Sequence, residues 1–436
     1  MKSLKPFIVS VFLSVFLLHA CQTSVPSFVK VEDGKFVSED YPSYFVGTNF
    51  WYGAILASEG EGGNLPRLEA ELDTLKALGV TNLRVLVGGD GPHGVTSRIE
   101  PTLQKEPGVY NDTIFWGLDR LLVEMAERDM KAVLYINNTW EWSGGFGMYL
   151  EWAGAGKALL PSVDGYQEYT EYVSQFMTND KAKQYFADHV RHIVSRTNTI
   201  TGKPYKDDPA IFSWQICNEP RCFSKDTVNR QLFVDWLWDT AELIKSIDPN
   251  HMVSSGSEGF YGCEQDMGIF EKIHACPDID YMNIHIWPYN WSWVRQHNLQ
   301  SNIDVAIANT DKYIDMHLEA AEIHGKPIVI EEFGYPRDDF QFAQGTPVTA
   351  KDAYYKHVFS RVIDSARQGG IIAGANFWAW GGLASQSPTN IYWQKGDDYC
   401  GDPAQEQQGL YSVYASDVTT TRIISEAAQE IMSAVK

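Results

Sequence analysis

Apolar positions along the chain fall into short dense runs, separated by longer stretches where they recur every three or four places. The short runs cover 44–51, 82–87, 131–137, 211–218, 252–258, 281–287, 327–333 and 374–380. They are rich in Val, Ile and aromatic residues and hardly alternate, as expected of strands buried on both faces of a parallel sheet. The intervening stretches read as helices. In 67–78, Leu68, Leu72, Leu75 and Leu78 have helical spacing, and Gly79 offers a stop. Leu118, Leu121, Leu122 and Met125 repeat the theme in 117–128, and 230–244, 303–323, 349–367 and 417–432 follow. Eight strands alternating with helices predict an α/β fold, a closed (β/α)8 barrel (TIM barrel) forming a single catalytic domain over 31–436. A doubly wound open sheet is the alternative. It would place a Gly-rich phosphate loop after the first strand, and this sequence has none there.

The first residues carry an address rather than fold information. Lys2 and Lys5 precede an uncharged apolar run over 7–18, too short for a comfortable membrane span. Leu18-His19-Ala20-Cys21 follows and resembles a bacterial lipobox. Residues 1–20 therefore read as a lipoprotein signal peptide, Cys21 as the lipidation site, and 21–30 as a tether with Ser, Thr and Pro. The expected location is outside the cytoplasm, on a bacterial membrane, held by the N-terminal lipid.

Composition narrows the partners. A formal charge of −21 disfavours nucleic acid and anionic lipid surfaces, whereas a neutral substrate fits. The 14 Trp exceed what a core needs and suit a cleft that stacks on sugar faces. Beyond Cys21 the cysteines are Cys217, Cys222, Cys263, Cys276 and Cys400, with no CxxC pair, and their pairing cannot be deduced. No HExxH motif is present, and no metal or other cofactor is expected. His189 and His192 share a helix face without an acidic partner and read as surface residues. Trp236 and Trp238 lie on a helix and read as packing residues.

Catalytic groups of such barrels sit at the C-terminal ends of the strands. Read in order, those ends present Trp51, Arg84, Asn138 with Trp140, Asn218 with Glu219 and Arg221, Glu258, His285 with Trp287, Glu331 with Glu332, and Trp378. Glycosidic cleavage needs two carboxyl groups across the anomeric carbon, and Glu219 and Glu332 can face each other across the mouth. Glu331 and Glu332 are strand neighbours, so pleating should send only one of them into the mouth; parity alone does not say which.

Several of these stretches resemble glycoside hydrolase family 5. Trp214-Gln215-Ile216-Cys217-Asn218-Glu219-Pro220-Arg221 is similar to its Asn-Glu-Pro signature. Ile330-Glu331-Glu332-Phe333-Gly334 is similar to its nucleophile strand, where the Glu before Phe-Gly attacks. Asn82-Leu83-Arg84, His285-Ile286-Trp287 and Phe377-Trp378 match its second, sixth and eighth strand ends. Residues 256–262 and 47–51 resemble its mannan-directed members. The resemblance implies a retaining enzyme with Glu332 as nucleophile and Glu219 as acid/base. Trp51, Arg84, Asn138, Trp140, Asn218, Glu258, His285, Trp287 and Trp378 would bind substrate, with Arg84 and His285, or a tyrosine, as donors to Glu332.

The implied substrate is β-mannan or manno-oligosaccharides, and the implied activity is endo-β-1,4-mannanase. Two loops, 138–145 and the long 381–409, bear on this. Relatives extended after the eighth strand can have the cleft closed at its non-reducing side, which would give an exo-acting β-mannosidase instead. A β-glucan hydrolase is a further alternative, since substrate choice resides in loops. A non-catalytic sugar-binding lipoprotein would have lost one carboxylate, and both are present.

Overall fold

In the computed structural model, which describes residues 27–435, all the apolar runs form one eight-stranded parallel sheet. Its strands are β1 (Phe45–Asn49), β2 (Asn82–Leu86), β3 (Lys131–Tyr135), β4 (Ile211–Gln215), β5 (Met252–Ser254), β6 (Met282–Ile286), β7 (Ile328–Phe333) and β8 (Ile372–Phe377). Each pairs with its chain neighbours except that β5 and β6 form the two edges, and β8 pairs with β1. The seam between β5 and β6 is stitched by Asp280. Its N–H donates to the Val253 carbonyl at 2.8 Å, and its carboxylate accepts the Val253 N–H at 2.7 Å. The result is a nearly closed barrel with every strand residue buried.

An outer ring of helices covers the sheet: α1 (Leu65–Ala77), α2 (Asp112–Ala126), α3 (Asp180–Val194), α4 (Thr227–Ile247), α5 (Met267–His274), α6 (Ile303–His324), α7 (Thr349–Gln368) and α8 (Val418–Ala434). Their ends follow local chemistry. Asn64 caps α1 by accepting the Arg67 N–H, and Asp226 caps α4 by accepting from Val228 and Asn229. Gly325 and Gly369 end α6 and α7 in the left-handed conformation. Additional helices, Gly145–Ala153 and Tyr166–Val173, fill the connection after β3. Their glycine and tyrosine content hides the helical period from the sequence. Among the described residues no helix is long and apolar enough to cross a membrane.

A short hairpin, Lys30–Glu32 with Lys35–Val37, closes the N-terminal end of the barrel. Phe36 inserts there against Phe45, Phe212 and Tyr281, and is 1% exposed. The expected tether is accordingly shorter than 21–30. Val29 is buried in this floor cluster, and the Ser27 hydroxyl bonds Asp40 at 2.9 Å, so residues 27–30 belong to the folded body. The signal peptide and Cys21 lie outside the described residues.

His189 also departs from expectation. It is buried rather than on the surface, with Nδ1 3.1 Å from the Tyr110 hydroxyl, and burial pushes its imidazole down to about 3. The face shared with His192 packs on Tyr110, which that second ring stacks at 4.1 Å. Trp236 is buried, as a packing residue should be. Cys217, Cys222, Cys263, Cys276 and Cys400 are buried free thiols.

Candidate active site

The segment after β4 stays stitched to its neighbours as it leaves the sheet. Ile216 N–H donates to the Ser254 carbonyl, Asn218 N–H to that of Asn137, and Glu219 N–H to that of Gly256. Glu219 then takes φ 49, a left-handed turn that stands its side chain over the mouth. Gly256 permits this close passage: a Cβ there would lie 1.7 Å from the Cys217 carbonyl oxygen.

On the opposite side, β7 carries a bulge. Ile284 pairs with Ile330 but His285 with Glu332, leaving Glu331 as the extra residue. The simple alternation expected for Glu331 and Glu332 is thereby broken. Both carboxylates approach Arg84, Glu331 at 3.7 Å and Glu332 in direct contact. They are separated by depth instead of by face. Glu331 lies below, accepting from Tyr281 (2.9 Å), Asn283 (2.6 Å) and Gln215 (2.5 Å). Glu332 lines the cavity.

The cavity measures about 430 Å³. Glu219 and Glu332 share it, each with a carboxylate oxygen within 4.8 Å of the other. That spacing matches the roughly 5–5.5 Å of retaining glycosidases and falls short of the 6.5–9.5 Å that an inverting water requires. His285 sits beneath both, its Nδ1 2.8 Å from Glu219 and 3.2 Å from Glu332. Burial disfavours its charged form, yet the Glu332 charge and the bond to Glu219 prevail and raise it to about 9. Arg84 is fully buried and donates to Glu332, to Asn49 (3.1 Å), to Gln215 (2.8 Å) and to Asn218 (2.7 Å). The donors to Glu332 are therefore Arg84 and His285. Of the nearby tyrosines, Tyr281 serves Glu331 and Tyr135 places its ring 4.5 Å from the Arg84 guanidinium.

Glu219 is held from the other side. Trp140 Nε1 donates to it at 2.5 Å, and Trp287 Nε1 lies 3.4 Å away. Arg221 stacks over Trp140 and grips Glu258 with two bonds of 2.5 and 2.6 Å. Burial pushes Glu258 up against that pull. Trp378 forms an indole floor, edge-on to Trp287.

Of the expected substrate contacts, Trp140, Asn218, Glu258, Trp287 and Trp378 line the cavity. The others stand behind it. Trp51 is 2% exposed and donates its Nε1 to the Gly401 carbonyl, so it braces the loop after β8. Asn138 bonds Asn218 and Ser143 and holds the Trp140 main chain. Arg84 and His285 reach the cavity only through the carboxylates. None of these four is among the residues that line the cavity.

The lining also includes Glu141, Tyr166, Tyr261, Asn290, Trp291, Gln405 and Glu406, none singled out from the sequence. The loops carrying Glu141 and the Gln405–Glu406 pair were singled out, the second for its length, but nothing in a loop sequence shows which side chains turn inward. Burial pushes Glu141 up to about 7. The loop after β8 crosses to the loop after β2, where the Tyr399 hydroxyl bonds the Glu100 carbonyl, and Arg67 donates to the Tyr399 carbonyl at 2.8 Å.

A family model described as GH family 5 beta-mannosidase-like matches residues 26–436. A putative mannan endo-1,4-β-mannosidase 9 of Oryza sativa subsp. japonica is 31% identical over 384 residues, 85% of this chain and 86% of the relative. Among solved structures, a family 5 mannosidase from Rhizomucor miehei superposes with a TM-score of 0.85 at 32% identity, covering 94% of this chain and 99% of its own. The endo-1,4-β-D-mannanase of Thermotoga petrophila shares the fold, with a TM-score of 0.64 at 23% identity over 88% of this chain and 99% of its own.

Proposed function

Because the chain belongs to the β-mannosidase-like branch of glycoside hydrolase family 5, we propose that it hydrolyses β-1,4-mannosidic bonds of mannan, glucomannan or galactomannan with retention, as an endo-acting mannanase. The observation that carries the chemistry is the pair of carboxyls, Glu219 and Glu332, with oxygens within 4.8 Å over the Trp378 floor. The endo assignment is supported by the relatives named mannan endo-1,4-β-mannosidase.

Glu332 attacks the anomeric carbon as a carboxylate while Glu219 gives its proton to the departing glycosidic oxygen. The product is a glycosyl ester on Glu332 and a free sugar hydroxyl. Water, deprotonated by Glu219, then attacks the same carbon and frees Glu332. Arg84 and His285 hold Glu332 oriented, and Trp140 fixes Glu219. Asn218, held by Arg84 and Asn138, is placed to bind the 2-hydroxyl.

A second reading, release of single mannose units from the non-reducing end, is favoured by Gln405 and Glu406 standing in the cavity lining beside Trp378. Time courses on reducing-end-labelled mannohexaose test both. Early mannobiose and mannotriose support internal cutting; mannose released stepwise from the non-reducing end supports the second reading. Cleavage of cello-oligosaccharides alone would overturn the mannan assignment.

The proposal extends to location. Lys2, Lys5, the apolar run 7–18 and Cys21 support an exported, lipid-anchored protein. Cys21→Ala should release it from membranes, and continued membrane association would defeat this part of the reading.

A further inference from the structure

The turn over residues 138–145, after β3, is fixed by the loop after β2. Asp90 N–H donates to the Ser143 carbonyl and Ile99 N–H to the Trp142 carbonyl, both at 2.8 Å. Arg98 Nε reaches the Glu141 carbonyl at 3.4 Å. Gly144 passes so near this loop that a Cβ there would lie 2.3 Å from the Asp90 carbonyl oxygen. From this braced turn Trp140, Glu141 and Trp142 enter the lining of the catalytic cavity.

Glu141 is the one of the three with no task yet assigned. It is 6% exposed. The neighbouring acids of the cavity are spent on protein donors: Glu219 on Trp140 and His285, Glu332 on Arg84 and His285, Glu258 on Arg221. Among the described residues, no other residue hydrogen-bonds the Glu141 carboxyl. Its own N–H and the more distant Arg98 charge favour ionisation, and burial overrides them. A buried carboxyl without partners costs free energy unless something bound beside it supplies them. In either protonation state it keeps an acceptor for a hydroxyl.

The contacts of the turn say which part of the substrate it meets. Asn138, at its start, accepts from Asn218 at 3.0 Å, so the turn runs beside the edge of the sugar that carries the 2-hydroxyl. Trp140 occupies the leaving-group end of that edge, bonded to Glu219. Trp142 occupies the far end, its ring 5.9 Å from that of Trp51. Glu141 lies between them, one ring position further from the cleaved bond than the 2-hydroxyl.

We propose that Glu141 is a substrate-binding residue that accepts a hydrogen bond from the 3-hydroxyl of the glycone sugar. The inference rests on the β-mannoside reading and deepens it.

The test compares full-length wild type with Glu141→Ala, Glu141→Met and Glu141→Gln on p-nitrophenyl β-D-mannopyranoside and on its 3-deoxy and 6-deoxy analogues. Glu141→Ala should lower kcat/KM about tenfold on the parent and on the 6-deoxy analogue, the loss of one hydrogen bond. On the 3-deoxy analogue it should stay within about twofold of wild type, because the group it serves is already missing. Glu141→Met fills the space without an oxygen and should show the same pattern; it carries the comparison if the alanine variant does not fold. Glu141→Gln keeps an acceptor and should lose less than about threefold on every substrate. An equal loss on all three substrates, or no loss on the parent, would overturn the contact. A loss that vanishes on the 6-deoxy instead of the 3-deoxy analogue would overturn its assignment to the 3-hydroxyl. No hydrolysis of any β-mannoside by wild type would overturn the mannoside reading, and this inference with it.

Discussion

Replacing Arg84 with methionine keeps an unbranched apolar stem and deletes the guanidinium with its charge. The guanidinium is wholly buried and contacts Glu332, Asn49, Gln215 and Asn218, with Glu331 3.7 Å from its Nε. In the variant, Glu332 keeps His285 at 3.2 Å, and three amide oxygens lose a donor. Breaking a buried ion pair from one side costs about 3–5 kcal/mol. At roughly 2.1 cal/mol/K per residue, a chain of 436 residues unfolds with an entropy near 0.9 kcal/mol/K. Tm at pH 7 should therefore fall by about 3–6 °C, read by calorimetry. The double variant Arg84→Met/Glu332→Gln separates charge from packing. With the orphaned carboxylate neutralised, the cycle should show a coupling of about 1–3 kcal/mol. Turnover of an aryl β-mannoside by the single variant should fall by about 10²–10³, the usual cost of losing a pre-aimed donor. A Tm within about 1 °C of wild type, a coupling near zero and intact turnover would together refute the idea that Arg84 holds the nucleophile in place.

Glu332→Ala should abolish turnover, with azide restoring part of it and yielding a glycosyl azide; unchanged activity would remove Glu332 from the reaction. Glu219→Ala should keep activity on substrates with excellent leaving groups while losing it on natural mannosides, and equal loss on both would count against the acid role. His285, raised in the fold from an unfolded value of about 6.5 to about 9, contributes stability that is complete below the lower value and lost as pH rises through the higher. The contribution is up to about 3 kcal/mol. Wild-type Tm should thus fall between pH 7 and pH 10 more steeply than that of His285→Gln, and parallel declines would show that the imidazole holds no extra proton.

The barrel was legible because burial on both faces leaves a strong, dense apolar signature, and every predicted strand is present within a few residues. Strand ends of such barrels converge on one mouth, which made Glu219 and the Glu331–Glu332 pair legible, while the choice of Glu332 came from the resemblance to the family's nucleophile strand. The bulge before His285 was not, since a change of register is a property of paired strands and leaves no mark on either alone. Trp51 and Asn138 stand at strand ends like the lining residues, yet neighbouring loops cover them. Gln405 and Glu406 sit where no periodicity applies, on a turn held by bonds from Asp402 to the Gly409 and Tyr411 N–H groups and from Gln408 to the Asp402 and Pro403 carbonyls.

The hairpin on the barrel floor also fixes the pole at which the described chain begins. Phe28 packs edge-on against His251, and Val29 and Phe36 join the floor cluster, so the ordered chain enters at the pole opposite Glu219 and Glu332. Under the lipid anchor proposed above for Cys21, the attachment would lie on the side of this closed pole, and a bulky polysaccharide would reach the mouth from the opposite side.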